Sequence, residues 1–187
     1  MNIGGPSGAF GLVGGLIQAG LNDTHTKAYT QIVKERQIAF APLLEQELTH
    51  ELNAAGYQVI YSEERPIVKE DHRTVDYSAI HTDADAILHV WFTTIGYISP
   101  PSKVSFQPWV GVRVRLLDPG SKSDLYFKTF ACGYEVKAEN IVHVQAGLQY
   151  EYDSFEKLTS NFDGSVAGLI ACDHSIASLI GIDFAKK

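Results

Sequence analysis

Cysteine is scarce in this chain of 187 residues: Cys132 and Cys172 are its two thiols. They form no CxxC pair, so a zinc ribbon or thioredoxin-type motif is excluded, and so is a disulfide-dense scaffold. Positive charge is also short. The chain has 15 Lys and Arg against 22 Asp and Glu, a net charge of −7. Nucleic acid is therefore not an expected partner, because phosphate binding wants a basic face. The first 22 residues, MNIGGPSGAFGLVGGLIQAGLN, carry no charged side chain at all. Without a positive n-region, and with its apolar part broken by glycine, this stretch does not read as a secretory signal peptide. Its apolar run of about 17 residues, interrupted by Pro6, falls short of the roughly 20 that a membrane span needs. No Lys-Ser or Lys-Thr follows the glycines, which removes a phosphate loop. GxSxG and HExxH are both missing, which removes the serine elbow and the zincin helix.

What remains is a globular composition, 45% hydrophobic and 20% charged, at a length that suits one domain with its own core. Residues 1–21 read as a glycine-rich, uncharged N-terminal segment and residues 22–187 as a single α+β domain. The segment is expected to be a flexible tail. Gly4, Gly8, Gly11 and Gly15 give small-xxx-small spacings, so a tightly packed or membrane-proximal helix is the alternative.

From residue 22 the periodicity predicts one broken helix or two consecutive helices over 22–55. Tyr29, Ile32 and Val33 give the first apolar stripe, and Leu44, Leu48, Leu52 and Ala55 the second. Pro42 can start the second helix, and Gly56 is a natural stop. A short strand is expected at Tyr57–Tyr61, then a polar crossover over 62–83. Residues 85–98, DAILHVWFTTIGYI, read as a central strand. Val110, Val112, Val114 and Leu116 alternate with Gly111, Arg113, Arg115 and Leu117, as in a half-buried strand with one polar face. Pro108 places the start of that strand at an edge or a bulge. Asp118-Pro119-Gly120-Ser121 is a turn, which makes 104–136 a hairpin. Ile141–Val144 and Leu148–Tyr152 are candidate strands, 153–161 a capped helical turn, and Val166, Leu169, Ile170, Ile176, Ala177 and Ile180 mark a helix that packs on the sheet. Helices flanking a run of strands give an α+β fold, with a mixed or mainly antiparallel sheet and N-terminal and C-terminal helices packed on it.

Chemistry is thinly signalled. Cys132 and Cys172 are expected to be buried thiols acting as small hydrophobes; a disulfide between the Cys132 strand and the Cys172 helix is the alternative, and it would imply an oxidising compartment. Of the seven histidines, the densest company is at Asp71, His72, Asp76, His81, Asp83 and Asp85. His72, Asp76, His81 and Asp83 are the candidate ligands for zinc or manganese, though a solvated polar loop is the expected role of this stretch. Cys172 and His174 diverge around a helix axis, so they do not make a catalytic pair. Arg113, Arg115 and Lys128 are expected on one polar sheet face. Aromatic residues in the strands should be core, unless several share the exposed face and form a binding patch. No cofactor is expected, and no catalytic residue is nominated.

The run DADAILHVWFTTIGY, followed by VGVRVRLLDPGSKSDLYF, resembles small bacterial cell-envelope lipoproteins whose hairpin belongs to a fold like the N-terminal domain of TolB. The opening GAFGLVGGLIQAGLND, leading into a charged helix, is similar to the glycine-rich start of mature lipoproteins of this kind. The resemblance covers roughly residues 8–55 and 83–135. It implies a periplasmic, outer-membrane-tethered, non-enzymatic domain that docks envelope proteins or envelope components, self-association included, with the lipid anchor carried through a removed leader. A cytoplasmic location is the alternative. Phe106, Trp109 and Val110 are the expected partner-binding residues, on the reasoning that an unpaired strand edge at 106–110 can accept another strand. The competing functions are a metal-dependent hydrolase built on 71–85 and a small-ligand binder with an apolar pocket between helices and sheet.

Overall fold

The structure is a computed structural model that describes residues 2–3, 22–62, 64–68, 75–100, 105–135 and 140–185. A five-stranded sheet forms the middle of the domain, in the order β1 (Asn2–Ile3), β4 (Ile87–Ile98), β5 (Gln107–Leu117), β6 (Asp124–Gly133), β7 (Ile141–Val144). The long strands β4, β5 and β6 pair antiparallel, while β1 and β7 add in parallel at the two ends. The sheet is therefore mixed and the class α+β, as the pattern of elements predicts. A two-stranded ribbon, β2 (Ile67–Val68) and β3 (Val75–Asp76), stands apart.

All the long helices pack on one face. α1 (Asn22–Glu35) and α2 (Phe40–Ala54) precede the sheet; α3 (Phe155–Ser160) and α4 (Phe162–Ala185) follow it. The apolar stripe of α2, namely Phe40, Leu44, Leu48 and Leu52, is buried. It joins one core with Leu88, Val90, Ile95 and Tyr97 of β4, Val110, Val112 and Val114 of β5, and Leu169, Ile176 and Ile180 of α4. Burying each Val, Leu or Ile side chain contributes about 1.5–3 kcal/mol. α4 is long and apolar enough to cross a membrane by length and composition, yet 56% of its most apolar stretch is buried inside the domain. That burial is how a core helix behaves.

The ends of the helices are set locally. After α2 the amide of Tyr57 bonds the carbonyl of Leu52 and that of Gly56 the carbonyl of Asn53, with Gly56 at φ +92. This is the Schellman stop that the glycine signals. The end of α1 uses the same two bonds, Ile38 to Val33 and Gln37 to Lys34, but here the left-handed residue is Gln37 at φ 55. The break between α1 and α2 therefore falls at 36–39, and Pro42 lies in the first turn of α2, where a missing amide costs little. Ser154 caps α3 by accepting from the Lys157 amide.

Several expectations are corrected. Residues 57–62 belong to no strand; Tyr57 donates its hydroxyl to the Phe184 carbonyl at the end of α4. Leu148–Tyr150 is a 3-10 turn, and Tyr152 makes a single bridge to Phe106. The cysteines are not free thiols: Cys132 on β6 and Cys172 on α4 are bonded, with Cα atoms 5.4 Å apart. The disulfide ties the sheet to the helix that covers it. Residues 4–21, which hold nearly all of the glycine-rich segment, lie outside the described residues.

Candidate functional site

Among the described residues no helix packs on the second face of the sheet, and an arginine–aromatic cluster lies there. Its side chains come from every other residue of three adjacent strands. On β5 the helix side takes Val110, Val112 and Val114, all fully buried, so Gly111, Arg113 and Arg115 face the other way. Register then sets their neighbours. Arg115 lies between His89 of β4 and Phe127 of β6, and Arg113 lies between Trp91 and Thr129. A bulge in β4 between Phe92 and Thr94 ends this pattern. Below the bulge the even residues Leu88 and Val90 enter the core, and beyond it the odd residues Ile95 and Tyr97 do. Thr93 folds across Gly111, where an added Cβ would fall 2.5 Å from the Thr93 hydroxyl. A side chain at that point of β5 would require Thr93 to move.

The result is a guanidinium set among rings. The Arg115 guanidinium carbon is 4.9 Å from the Phe127 ring centre, 5.9 Å from Tyr77 and 6.0 Å from Trp91, all within cation–π range. Its Nε is 3.2 Å from an Asp124 carboxylate oxygen. Trp91 stacks on His89 with centroids 4.5 Å apart, and His89 Nδ1 shares a 2.7 Å hydrogen bond with the Tyr77 hydroxyl. Burial, chiefly, raises the Tyr77 hydroxyl above the usual tyrosine range, offset in part by Arg115. One end of the face is roofed by a small second core of Tyr77, Ile80, Ile87 and Leu117. Lys122, at the β5–β6 turn, holds that roof down by donating to the Ile80 carbonyl at 2.7 Å. Away from the roof the face opens: Phe127 is 48% exposed, Arg113 is exposed and Trp91 half-buried. Among the described residues, no carboxylate forms an ion pair with Arg113.

Lys128 does not join these arginines. It lies on the helix side, 2.9 Å from Asp183 of α4, where Tyr126 also donates to Asp183. The expected partner-binding residues are corrected too. Phe106–Val110 is no edge, because β5 is the middle strand: Val110 pairs with Ile95 on one side and Cys132 on the other. Val110 and Phe106 are buried, and Trp109 packs edge-on against Tyr134. Pro108 is tolerated in this central strand because the β6 ladder ends next to it, at Trp109–Gly133. There its carbonyl still accepts from the Tyr134 amide.

Of the candidate metal ligands, His72 lies outside the described residues. Asp76 accepts from the Ser78 amide, the His81 amide donates to Glu64, and Asp83 is exposed. Among the described residues no group of three potential ligands gathers. His174 pairs with Glu47 of α2 at 2.9 Å, on the far side of α4 from the disulfide. Between helices and sheet, a pocket of only about 40 Å³ lies beside the disulfide, among Cys132, Ala146, Gly168 and Cys172. A cleft of about 300 Å³ opens at the end of the sheet, among Pro108, Gly133, Tyr134, His143 and Gln145.

On the helix side two buried groups lack a hydrogen-bond partner, the Tyr152 hydroxyl and a carboxyl that the sequence pattern hides. Asp173 of α4 is 1% exposed, and neither carboxylate oxygen has a hydrogen-bond partner. Burial pushes its carboxyl well above the usual range. By contrast, the buried phenols of Tyr29 and Tyr97 are satisfied by the Ser165 hydroxyl and the Ser165 carbonyl.

The architecture defines a class, an α+β domain with helices on one face of a mixed sheet and an arginine–aromatic patch on the other. No family model matches the chain, and no curated protein matches it either. Among solved structures it is similar to one described as "a putative lipoprotein from Caulobacter crescentus CB15", at 15% identity and a TM-score of 0.42, over 78% of this chain and 80% of that one. A likeness of that size does not define a family.

Proposed function

We propose that this chain is a non-enzymatic domain of a cell-envelope lipoprotein, periplasmic and tethered to the outer membrane through a lipid on its amino-terminal side, which works by docking partner proteins. The observation that carries the reading is the buried bond between Cys132 and Cys172. A structural disulfide persists in an oxidising compartment such as the bacterial periplasm and is rare in the cytosol. The flat arginine–aromatic face supports docking, since Trp, Tyr and Arg dominate the residues that carry binding energy at protein interfaces.

Fractionation of native cells, with thiols trapped by alkylation at lysis, tests the reading. The expected result is recovery with the membrane fraction and no alkylated cysteine. Recovery in soluble cytosol with both cysteines alkylated overturns it.

A further inference from the structure

We infer that the open end of the sheet face turned away from the described helices, centred on Arg113 between Trp91 and Thr129 with Phe127 beside it, is the docking surface for an acidic segment of a partner protein. The inference deepens the proposed docking function and rests on it only for the identity of the compartment.

Charge singles out the occupant. The chain is acidic overall, at −7, yet two arginines stand one pleat apart on this face. Arg115 is already engaged by Asp124 and the rings. Arg113 is exposed, with no ion-pair partner among the described residues. A guanidinium presents its donors in a fork that fits a carboxylate bidentately, and Phe127 and Trp91 flank it with apolar area that excludes water from such a pair. A second copy of this chain is a poor occupant. In a two-fold interface whose axis passes through Arg113 the arginine pair would meet its own image, and like charges across an interface cost affinity. An anionic membrane is poorly matched as well, because the whole acidic domain would be repelled along with the attraction of one patch.

The experiment titrates the intact, disulfide-bonded protein with a fluorescein-labelled polyglutamate peptide at low salt, with tryptophan emission as a second readout. Three variants accompany the wild type: Arg113→Glu, Phe127→Ala, and Arg36→Glu as a control of equal charge change at the exposed end of α1. The expected result is saturable binding that Arg113→Glu weakens about tenfold or more, that Phe127→Ala weakens less, and that Arg36→Glu leaves nearly unchanged. Equal loss in Arg113→Glu and Arg36→Glu overturns the inference, since net charge alone would then account for binding. So does the absence of binding, or binding to phosphatidylglycerol vesicles without binding to the peptide. Concentration-dependent dimerisation abolished by Arg113→Glu, with no peptide binding, overturns it in favour of a second copy. A chain found in the cytosol that still binds through Arg113 removes the envelope reading and leaves this surface standing.

Discussion

The two faces of one sheet are built on the same strands and obey different rules. On the helix side, Val110, Val112, Val114 and Phe130 are fully buried, and polar atoms are admitted only with partners, as at Tyr29–Ser165 or Lys128–Asp183. On the other side, residues one position along the same strands hold an arginine among rings, and Phe127 is 48% exposed. The first face is organised by exclusion of water and the second by cation–π contact at its margin. Packing on the first face sets stability, while the second is free to carry recognition. Asp173 and the Tyr152 hydroxyl are the exceptions on the buried side.

Two phenylalanines of β6 break the comparison most sharply. Phe130→Ala is expected to destabilise the domain by about 3–5 kcal/mol, whereas Phe127→Ala should cost well under half of that, because its ring is already half in water. Urea unfolding of both variants with the disulfide intact checks this, and equal losses would erase the distinction between the faces. Removing the disulfide comes next. In the chain-entropy view its closed loop of 40 residues contributes about 4 kcal/mol, so a Cys132→Ser/Cys172→Ser double variant should lose roughly that amount while keeping the same far-UV circular dichroism.

The Asp173 exception is sharpened by pH. Its folded-state value is raised, so the folded chain holds a proton that the unfolded chain releases above about pH 4. Its contribution is therefore greatest below about pH 4, and stability falls as pH rises toward the folded value. Asp173→Asn should flatten that part of the stability–pH curve and add about 1–3 kcal/mol at neutral pH. Unchanged slopes in parallel urea titrations would show that the carboxyl is satisfied after all. The smallest effect belongs to the end of α1: Gln37→Gly should stabilise by about 0.5–1 kcal/mol, relieving a non-glycine residue held at φ 55, with thermal melts as the readout.

Much of this was legible in the sequence where a single period governs. The alternation of Val110, Val112 and Val114 with Gly111, Arg113 and Arg115 gave both faces of β5, and Gly56 and the Asp118 turn gave their stops. Asp118 indeed accepts from the amides of Gly120 and Ser121. What depends on tertiary register was not legible. The bulge at Phe92–Thr94 reverses the parity of β4, so the face of His89 could not be read from alternation alone. Pro108 suggested an edge, but the ladder simply ends beside it in a central strand. Lys128 looked like a companion of Arg113, and a helix distant in sequence took it away. The pairing of Cys132 with Cys172 stood only as the alternative to two free thiols, because 40 residues separate them and only the fold brings them together.

The measurement that reaches furthest is the intact mass of the protein isolated from its native cells after alkylation of free thiols. The account predicts a lipid-modified amino terminus and a mass showing Cys132 and Cys172 joined and unalkylated. An unlipidated chain with both thiols alkylated would contradict it.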